Sequence, residues 1–501
     1  MRPVVSGNCP RDVARAAGAR ATALSSQCLF GIRKPAEARY PNPHEDDVTE
    51  IPADEELQSR IYNAFNPLDA AGSAVYCDMS TARGTDGALV RDFQRNIRLA
   101  GTNYIRFLFS GHIGSGKSSE LEQLRQNLLA RGPGGGRYFP VVIDTNDYID
   151  DYDADAIDLL LAVVAETAAR LREELQINLS DTYFQKRFAE LKSFLLSDVE
   201  LTEGEVTLGN AKLKLRRLKA DETARNKVRE ALRPQVSTIL AEINLLLAQV
   251  RKQLTSSQTG YDDVVLIIDN LEKIRKVANA AEGFASHKEL FLEQYTKLTG
   301  FDAHVIYTVP LRLVRSADAP QLNLRYDSIF VLPAVKIRER DGRPFPGGTA
   351  ALQSLVERRV APRPLADVIA ADALDFLIGC SGGHVRHLMI FMRAATAAVD
   401  TLPIDLRAAR KAVRQVVATY SVSITEEQWE KLIAVHRSKD QKIANGDAAY
   451  LALLENAAIL EYRDSDAENE FEAAEPWYAV HPLVRELSKF KERMAESAGA
   501  K

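Results

Sequence analysis

A glycine-rich stretch between residues 104 and 119 constrains the fold of this chain more than any other feature. It reads YIRFLFSGHIGSGKSS and fits the pattern G-x-x-x-x-G-K-[ST], from Gly111 to Ser118. An apolar run, 104–109, precedes this loop, and three leucines at helical spacing follow it. The stretch therefore predicts a buried strand, a phosphate-binding loop and a helix whose N-terminus favours anions. From these features we expect the chain to bind a nucleoside triphosphate.

The loop also assigns chemical roles to individual residues. Its glycines allow a tight turn, so that consecutive backbone N–H groups can point at phosphate oxygens. Lys117 is predicted to reach the β- and γ-phosphates of ATP, and the Ser118 hydroxyl to bind Mg²⁺. The predicted nucleotide-binding residues are Gly111, His112, Ile113, Gly114, Ser115, Gly116, Lys117, Ser118 and Ser119.

Four further apolar runs predict the remaining strands of a sheet. They alternate with helical patterns, which indicates an α/β fold whose parallel sheet has helices on both faces. The third strand follows only after a charged, mostly helical insertion at about 176–260, in which a hairpin near 206–215 and a basic strand face reaching Lys219 are expected. The predicted strands cover 138–144, 264–269, 304–308 and 328–332.

Two carboxylates follow the predicted phosphate loop at the end of a buried strand. Asp269 ends the aliphatic run from Val264, so it is predicted to lie beside the loop as a second Mg²⁺ ligand. The next residue, Asn270, is an amide and cannot take a proton from water. Glu272 is the nearest alternative, and it either orients the attacking water or is a solvated loop carboxylate, in which case hydrolysis is slow.

Two more side chains are candidates for sensing the γ-phosphate. Thr308 is a hydroxyl at the end of an apolar strand, where it either contacts the phosphate or water or bonds its own backbone. Arg386 lies in the run SGGHVR within the helical region after the sheet. A guanidinium on a hinged helical lid can pair with the γ-phosphate and couple the lid to the nucleotide state. The predicted catalytic set is thus Lys117, Asp269, Glu272, Thr308 and Arg386.

Composition narrows the class of protein and the compartment. The formal net charge of −5 gives no overall attraction to nucleic acid or anionic membrane. The 4 cysteines are scattered, which argues against a disulfide framework or zinc site and fits a cytoplasmic location. No apolar stretch is long enough to span a membrane. Residues 1–55 are predicted to be a disordered tail, a transit peptide or the product of a start site placed too early.

The order of motifs resembles that of the AAA+ ATPases, and within them the STAND and Orc/Cdc6-like branches. GHIGSGKSS resembles Walker A, VVLIIDNLEKI Walker B, the strand ending at Thr308 sensor 1, and SGGHVRHLM sensor 2. The resemblance implies a sheet of order 5-1-4-3-2, a helical lid and a C-terminal winged helix. We therefore expect an ATPase core at 56–340, a lid at 341–402 and a winged helix at 403–495. The arginine finger that the resemblance implies is not assigned, although Arg315 and Arg325 lie in the right stretch.

Two functional hypotheses follow from this resemblance. The first is a STAND-like ATPase switch, regulatory or in anti-phage defence, whose ATP and Mg²⁺ state controls a protein partner or effector, or assembly into a homo-oligomer. The second is an Orc/Cdc6-like or transposition-type DNA-binding ATPase. The sequence disfavours it, because the predicted recognition helix at 447–456 has no Lys or Arg and the adjoining connection at 463–475 is acidic.

Overall fold

The computed structural model describes residues 53–499 apart from several short gaps and one long one. The long gap, 178–214, contains the predicted hairpin, which therefore lies outside the described residues, as does the predicted tail up to residue 52. From Pro52 onward the chain forms one compact unit. Among the described residues, no helix is long and apolar enough to cross a membrane. The other gaps are 70–71, 73, 86, 88, 131–136, 151, 275–285, 421–423, 439–442, 444–445 and 465–474.

Five parallel strands form the central sheet, in the order β2-β3-β4-β1-β5. This confirms the predicted order 5-1-4-3-2 and the α/β fold with a parallel sheet. The middle strands are buried on both faces, which explains their uninterrupted aliphatic sequences. The strands are β1 (Arg106–Gly111), β2 (Tyr138–Asp144), β3 (Asp263–Asp269), β4 (His304–Thr308) and β5 (Ser328–Leu332).

Helices cover both faces of this sheet. On one face, α2 (Leu89–Ala100) and α3 (Lys117–Leu129) form an aromatic and aliphatic cluster with β1, in which Phe93 meets Phe107 edge to face. On the other face lie α4 (Ala156–Leu175) and α6 (Val236–Ser256), whose apolar side chains join the largest core cluster.

The described part of the insertion is mostly helical. Two helices, α5 (Glu222–Leu232) and α6, are separated by a single 3-10 turn at Pro234, where proline removes a helical hydrogen bond. Residues 215–220 are helical, so the basic strand predicted through Lys219 is wrong in this part. Arg216 pairs with Asp147 at 2.5 Å, which directs the guanidinium onto the ATPase core. Lys212 and Lys214 lie outside the described residues.

Short helices lie on both sides of β4, between β3 and β5. A π-helical turn (Glu289–Glu293) and α7 (Tyr295–Thr299) lead into β4, which α8 (Leu311–Val314) and α9 (Ala319–Arg325) follow. Beyond β5 come four helices in the predicted lid region and its continuation. These are α10 (Pro346–Val360), α11 (Ala371–Ser381), α12 (Val385–Thr396) and α13 (Leu406–Tyr420).

The N-terminal helix, α1 (Ala53–Ala64), packs on these lid helices. Ile61 and Phe65 lie in the same hydrophobic cluster as α10, α11 and α12. The sequence prediction placed this segment with the ATPase core, because helical periodicity shows which face is apolar but not which partner covers it. The lid helices are therefore joined by a helix from the start of the described chain.

The last part of the chain contains helices and a two-stranded antiparallel sheet. α15 (Ala448–Glu455), which covers most of the predicted recognition helix at 447–456, packs against α8, the helix after β4. Its buried side chains include Tyr450 and Leu454. The elements are α14 (Glu426–Arg437), α15 (Ala448–Glu455), β6 (Ile459–Tyr462), β7 (Trp477–Val480), α16 (Pro482–Glu486) and α17 (Ser488–Gly499).

Candidate functional site

A cavity of 650 Å³ lies at the carboxyl edge of the sheet, between the glycine-rich loop and α12. Its volume is within the range of about 300–1,000 Å³ that is usual for small-molecule sites. The structure brings Lys117, Asp269, Glu272 and Arg386 together in its wall, although they are far apart in the sequence. The predicted nucleotide-binding residues that line it are Ile113, Gly114, Gly116, Lys117, Ser118 and Ser119.

The glycine-rich loop turns directly into α3, as the sequence predicted. Gly116 caps the helix with a φ of 106°, a left-handed conformation that side chains rarely adopt. The helix therefore begins at Lys117 with its N-terminal N–H groups beside the cavity, where the helix dipole favours phosphate. The loop carbonyls of Gly111 and His112 accept hydrogen bonds from Lys117 Nζ at 3.1 and 3.2 Å.

The Lys117 ammonium group is already paired in this state. Its Nζ lies 3.1 Å from Glu272 Oε1, and both side chains are almost fully buried. Burial opposes ionisation of Glu272, but the Lys117 ammonium group and the Thr308 hydroxyl together with backbone hydrogen bonding outweigh it and lower the pKa of the carboxyl group. Phosphate groups that bind Lys117 must therefore compete with Glu272.

Asp269 and Ser118 lie side by side, as a shared Mg²⁺ site requires. The Ser118 hydroxyl lies close enough to the Asp269 carboxylate to favour its charged form, and the Asn270 N–H donates to Asp269 Oδ1 at 2.8 Å. Burial and the nearby Glu272 carboxylate raise the pKa of Asp269 to about 6. A hydroxyl and a carboxylate are hard oxygen ligands of the kind that Mg²⁺ prefers. The two residues therefore fit the metal, whose charge would stabilise the ionised form of Asp269.

Thr308 supports the loop that carries Glu272. Its hydroxyl accepts a hydrogen bond from the Leu271 N–H at 3.1 Å and lies close enough to Glu272 to help lower the pKa of that carboxyl group. Thr308 is fully buried and does not line the cavity. The hydroxyl thus bonds backbone groups of Leu271 and Ile268 and not its own backbone, and its contact with phosphate or water stays a prediction.

Arg386 joins the lid to the glycine-rich loop. Its backbone N–H donates to the Gly114 carbonyl at 3.1 Å, and its Nε donates to the Pro67 carbonyl at 3.1 Å. A Cβ atom on Gly114 would lie 2.6 Å from the Arg386 Cβ, so this close approach needs glycine. Among the described residues, Arg386 forms no ion pair, and its guanidinium lines the cavity.

His112 points away from the cavity and into the C-terminal part of the chain. Its Nδ1 lies 3.0 Å from the Leu454 carbonyl, and its Nε2 lies 2.9 Å from the Glu461 N–H. Since a carbonyl only accepts, Nδ1 carries the proton and Nε2 accepts from Glu461. Burial lowers the pKa of His112 to about 4, although Glu461 opposes this change. A residue predicted to bind nucleotide instead connects the loop to α15 and β6.

A second histidine connects the loop to the lid. His384 Nε2 donates to the Ile113 carbonyl at 3.0 Å, while its Nδ1 accepts from the His387 N–H at 3.3 Å and caps α12. The His387 Nδ1 lies 2.9 Å from His481 Nε2, next to the start of α16. Burial lowers the pKa of His384, His387 and His481, so all these rings are neutral.

Arg83 is a site residue whose role the sequence analysis missed. Its Nη2 donates to the Ser115 carbonyl at 2.7 Å, and its Nη1 donates to the Pro333 carbonyl after β5. The side chain is 1 % exposed. A buried arginine in a 3-10 turn, with only small residues around it, has no periodic pattern that would reveal it. Its guanidinium fixes the backbone of the glycine-rich loop against the sheet.

The cavity has a third wall that no motif predicted. Asn66, Pro67, Leu68 and Asp69, directly after α1, line the cavity opposite the sheet. They are held there by the lid, because Arg393 donates to Asn66 Oδ1 at 3.2 Å.

The two arginines considered for an arginine finger are both engaged within the chain. Arg315 forms a two-point ion pair with the buried Glu461 of β6. Arg325 donates to the Leu292 carbonyl and lies over the Tyr295 ring at 4.7 Å.

Comparison with known proteins gives distant structural relatives. No protein-family model and no curated protein matches the chain. The chain is similar to Orc and Cdc6 structures. Cdc6p from Pyrobaculum aerophilum is 12 % identical with a TM-score of 0.35, covering 87 % of this chain and 98 % of its own. The Aeropyrum pernix ORC2 protein in its ADPNP–ADP complexes is 12 % identical with a TM-score of 0.38, covering 83 % and 93 %.

A third solved structure is the Walker-type ATPase paby2304 of Pyrococcus abyssi. It is 14 % identical to this chain with a TM-score of 0.37, and the match covers 83 % of this chain and 99 % of that one. At such identities no residue role is transferred. The roles assigned in the site follow from the contacts of the chain's own residues.

Proposed function

We propose that this chain is a slow ATPase that acts as a nucleotide-dependent switch of the STAND type. ATP binds in the cavity between the sheet and the lid, with its phosphates at Lys117 and the N-terminus of α3. Ser118 and Asp269 hold Mg²⁺, which supplies charge neutralisation for the phosphates. Arg386, on the lid, faces the same cavity and contacts the γ-phosphate.

The observation that carries this proposal is that the glycine-rich loop hydrogen-bonds directly to the lid and to the C-terminal part of the chain. His384 joins Ile113 to the lid, and His112 joins the loop to α15 and β6, at 2.9 to 3.0 Å. A change in the conformation of the loop on phosphate binding is therefore transmitted to the C-terminal part of the chain directly, because no other element lies between them. We propose that this part is a winged-helix domain that presents a surface to a protein partner or a second copy.

Glu272 explains why turnover is expected to be slow. Its carboxylate pairs with Lys117, so in this state it is unavailable to orient water. Phosphate binding must release it, and Thr308 then holds the loop that carries it. We propose that Glu272 orients the attacking water only after this exchange of partners, which gives a two-step route to hydrolysis. We also propose that the protein is cytoplasmic, as the scattered cysteines predict.

The first test is steady-state phosphate release from ATP, with Lys117→Ala as the control. We expect turnover well below about 1 s⁻¹, the usual lower range for enzymes, with ATP still bound. Fast turnover that Lys117→Ala abolishes would contradict the switch and favour a cycling remodeller.

The second test is amide hydrogen exchange across α15 and β6 in three states: without nucleotide, with Mg·ADP and with a non-hydrolysable Mg·ATP analogue. We expect the ATP analogue to change exchange in these elements, and His112→Ala to remove that response while nucleotide still binds. Identical exchange in all three states of the unmodified protein would refute the coupling.

A DNA-binding ATPase is the alternative, and one surface favours it. The helix α13 has four exposed basic side chains and no carboxylate within its bounds, and among the described residues none of the four forms an ion pair. They lie three or four positions apart, hence on one face. A surface of this kind can contact DNA phosphates. The four residues are Arg407, Arg410, Lys411 and Arg414.

Fluorescence anisotropy with a labelled DNA duplex at physiological salt separates the two functions. The switch proposal expects no tight binding. Salt-sensitive binding that Arg407→Glu/Arg414→Glu abolishes would establish the alternative. Arg172→Glu/Arg363→Glu, which changes the net charge equally at two other exposed positions, is the matched control.

A further inference from the structure

Asp144, the last residue of β2, lies beside the predicted Mg²⁺ ligand Asp269. The two residues pair directly across the parallel strands β2 and β3, and neighbouring strands of a sheet lie about 4.8 Å apart. Both residues line the nucleotide cavity. Asp144 is exposed, whereas Asp269 is buried. The cavity therefore has a second carboxylate next to the candidate metal ligand, and the proposed function gives it no role.

Hydrogen bonds fix the end of β2 against the end of β3. The Asn270 amide Nδ2 donates to Asp144 Oδ1 at 2.8 Å, and the Asn146 N–H donates to the same oxygen at 2.9 Å. The Thr145 hydroxyl donates to the Asp269 carbonyl at 2.8 Å. The position of the Asp144 carboxylate relative to Asp269 is therefore set by the protein and not by solvent.

The backbone conformation of Asn270 suits this contact. Its φ of 70° is left-handed, a region in which asparagine is several-fold enriched among residues other than glycine. The residue is 8 % exposed, and its N–H donates to Asp269 Oδ1 at 2.8 Å. One residue thus holds both carboxylates, because its backbone bonds Asp269 and its side chain bonds Asp144.

The second carboxylate oxygen of Asp144, Oδ2, is left for another partner. Both hydrogen bonds to this side chain end on Oδ1, and within the part of the chain that the structure describes Asp144 forms no ion pair. The residue is exposed and lines the cavity. Since an ionised carboxylate only accepts hydrogen bonds, Oδ2 requires a donor that a ligand brings into the cavity.

The coordination chemistry of Mg²⁺ supplies such a donor. The ion takes six oxygen ligands and loses water reluctantly, so it usually keeps several water molecules beside one or two protein carboxylates and the phosphates. Its charge polarises these water molecules, which makes them strong donors to a nearby carboxylate. A carboxylate that neighbours the predicted ligand Asp269 is in the position to accept from them.

We propose that Asp144 is a positioning residue of the Mg²⁺ site, which holds the ion through a bound water molecule and is itself held by Asn270. This inference rests on the proposed function, because that function places nucleotide and Mg²⁺ in the cavity. It also gives a role to the amide that follows Asp269. Asn270 cannot take a proton from water, but it orients a carboxylate on the neighbouring strand.

Asp144→Asn separates the charge of the side chain from its structural contacts. The asparagine oxygen can still accept from Asn146 and Asn270, while the negative charge is lost. Calorimetric titration of the protein–ADP complex with MgCl₂ measures Mg²⁺ affinity, and titration with ADP in EDTA measures ADP affinity without the metal. We expect Mg²⁺ affinity to fall about 10- to 100-fold, the usual effect of changing a residue that orients the ligands of a metal. ADP affinity in EDTA should not fall, because the lost charge repels phosphate.

Asp147→Asn is the matched control for charge. It makes the same change on the same loop at a residue that does not line the cavity, and it should alter Mg²⁺ affinity less than about twofold. Asn270→Gly keeps the positive φ and removes only the amide, so it should also weaken Mg²⁺ binding. The loss in Asp144→Asn/Asn270→Gly should be smaller than the product of the two single losses, because both changes act on one contact.

Each outcome of these titrations decides the inference. Unchanged Mg²⁺ affinity in Asp144→Asn, or an equal loss in Asp147→Asn, would refute it and leave the proposed function intact, since the unmodified protein would still bind Mg·ADP. A protein that binds no ADP at all would refute the proposed function and this inference with it. Fully independent losses in the double variant would refute the role of Asn270. Asp144→Ser, which also provides an acceptor for the turn, is titrated instead if Asp144→Asn impairs folding.

Discussion

The hydrogen bond between His112 and β6 gives the sharpest prediction, because it is buried and its tautomer is fixed. His112→Ala leaves the Glu461 N–H without its acceptor and the Leu454 carbonyl without its donor. Each buried polar group left unsatisfied costs about 1–3 kcal/mol, so the two together destabilise the junction by about 2–6 kcal/mol. The loss falls on the contact between the glycine-rich loop and the C-terminal elements, and the sheet itself is untouched.

Amide hydrogen exchange at Glu461 measures this loss directly. A penalty of about 1–3 kcal/mol at that N–H corresponds to exchange about 5- to 160-fold faster. His112→Gln keeps an acceptor near the ε position and His112→Asn a donor near the δ position. Each is expected to restore about half of the loss, Gln at Glu461 and Asn at Leu454.

The control is His436→Ala, which removes an exposed histidine of α14 in the same part of the chain. It should leave exchange at Glu461 unchanged. The reasoning is refuted if His112→Ala accelerates Glu461 exchange less than about twofold, since a buried acceptor cannot be removed at so small a cost. It is equally refuted if His436→Ala has the same effect.

Three further predictions concern the nucleotide cavity. Burial and Glu272 raise the pKa of Asp269 to about 6, so the carboxylate is protonated as the pH falls through that value. The affinity for Mg²⁺, measured by calorimetry in the presence of ADP, should then fall about tenfold per pH unit. Asp269→Asn should remove this pH dependence. Arg386→Ala should leave ADP affinity nearly unchanged but weaken ATP by about 1.5–3 kcal/mol, the contribution of a charged hydrogen bond, and equal losses for both nucleotides would exclude a γ-phosphate contact. Gly114→Ala should weaken nucleotide binding and lower the melting temperature, because the added Cβ would lie 2.6 Å from the Arg386 Cβ. Gly101→Ala is the control: Gly101 also has a positive φ, but an added Cβ there has no atom within 4 Å, so this variant shows the effect of backbone strain without a clash.

The strands of the sheet could be predicted from the sequence, because the pattern that marks each strand is local. An aliphatic run predicts a buried strand wherever it occurs, and the loop motif fixes which strand carries the phosphates, so β3 and Asp269 were placed correctly at one edge. The connection from loop to α3 follows for the same reason. The resemblance supplied the strand order, which neither periodicity nor spacing contains.

The long-range contacts of the site residues could not be predicted from local sequence patterns. Lys117 meets Glu272, and His112 meets Glu461 across most of the chain, and no periodic pattern links such pairs. His112 was assigned to the nucleotide because it falls within the motif, although its ring turns outward. The packing of α1 on the lid was missed because an apolar helix face is compatible with several partners.

The double hydrogen bond of His112 also has a consequence for how this protein can change over evolutionary time. The residue lies in a loop whose glycines, lysine and serine serve the nucleotide, whereas its ring serves residues at 454 and 461. Both partners are backbone groups, so a recombinant with its breakpoint after the sheet keeps them whatever residues stand at 454 and 461. We expect such hybrids to be viable only where the parent that supplies the loop has histidine at this position. The contact between the loop and the C-terminal elements therefore depends on one side chain of the loop and on the backbone alone at its other end.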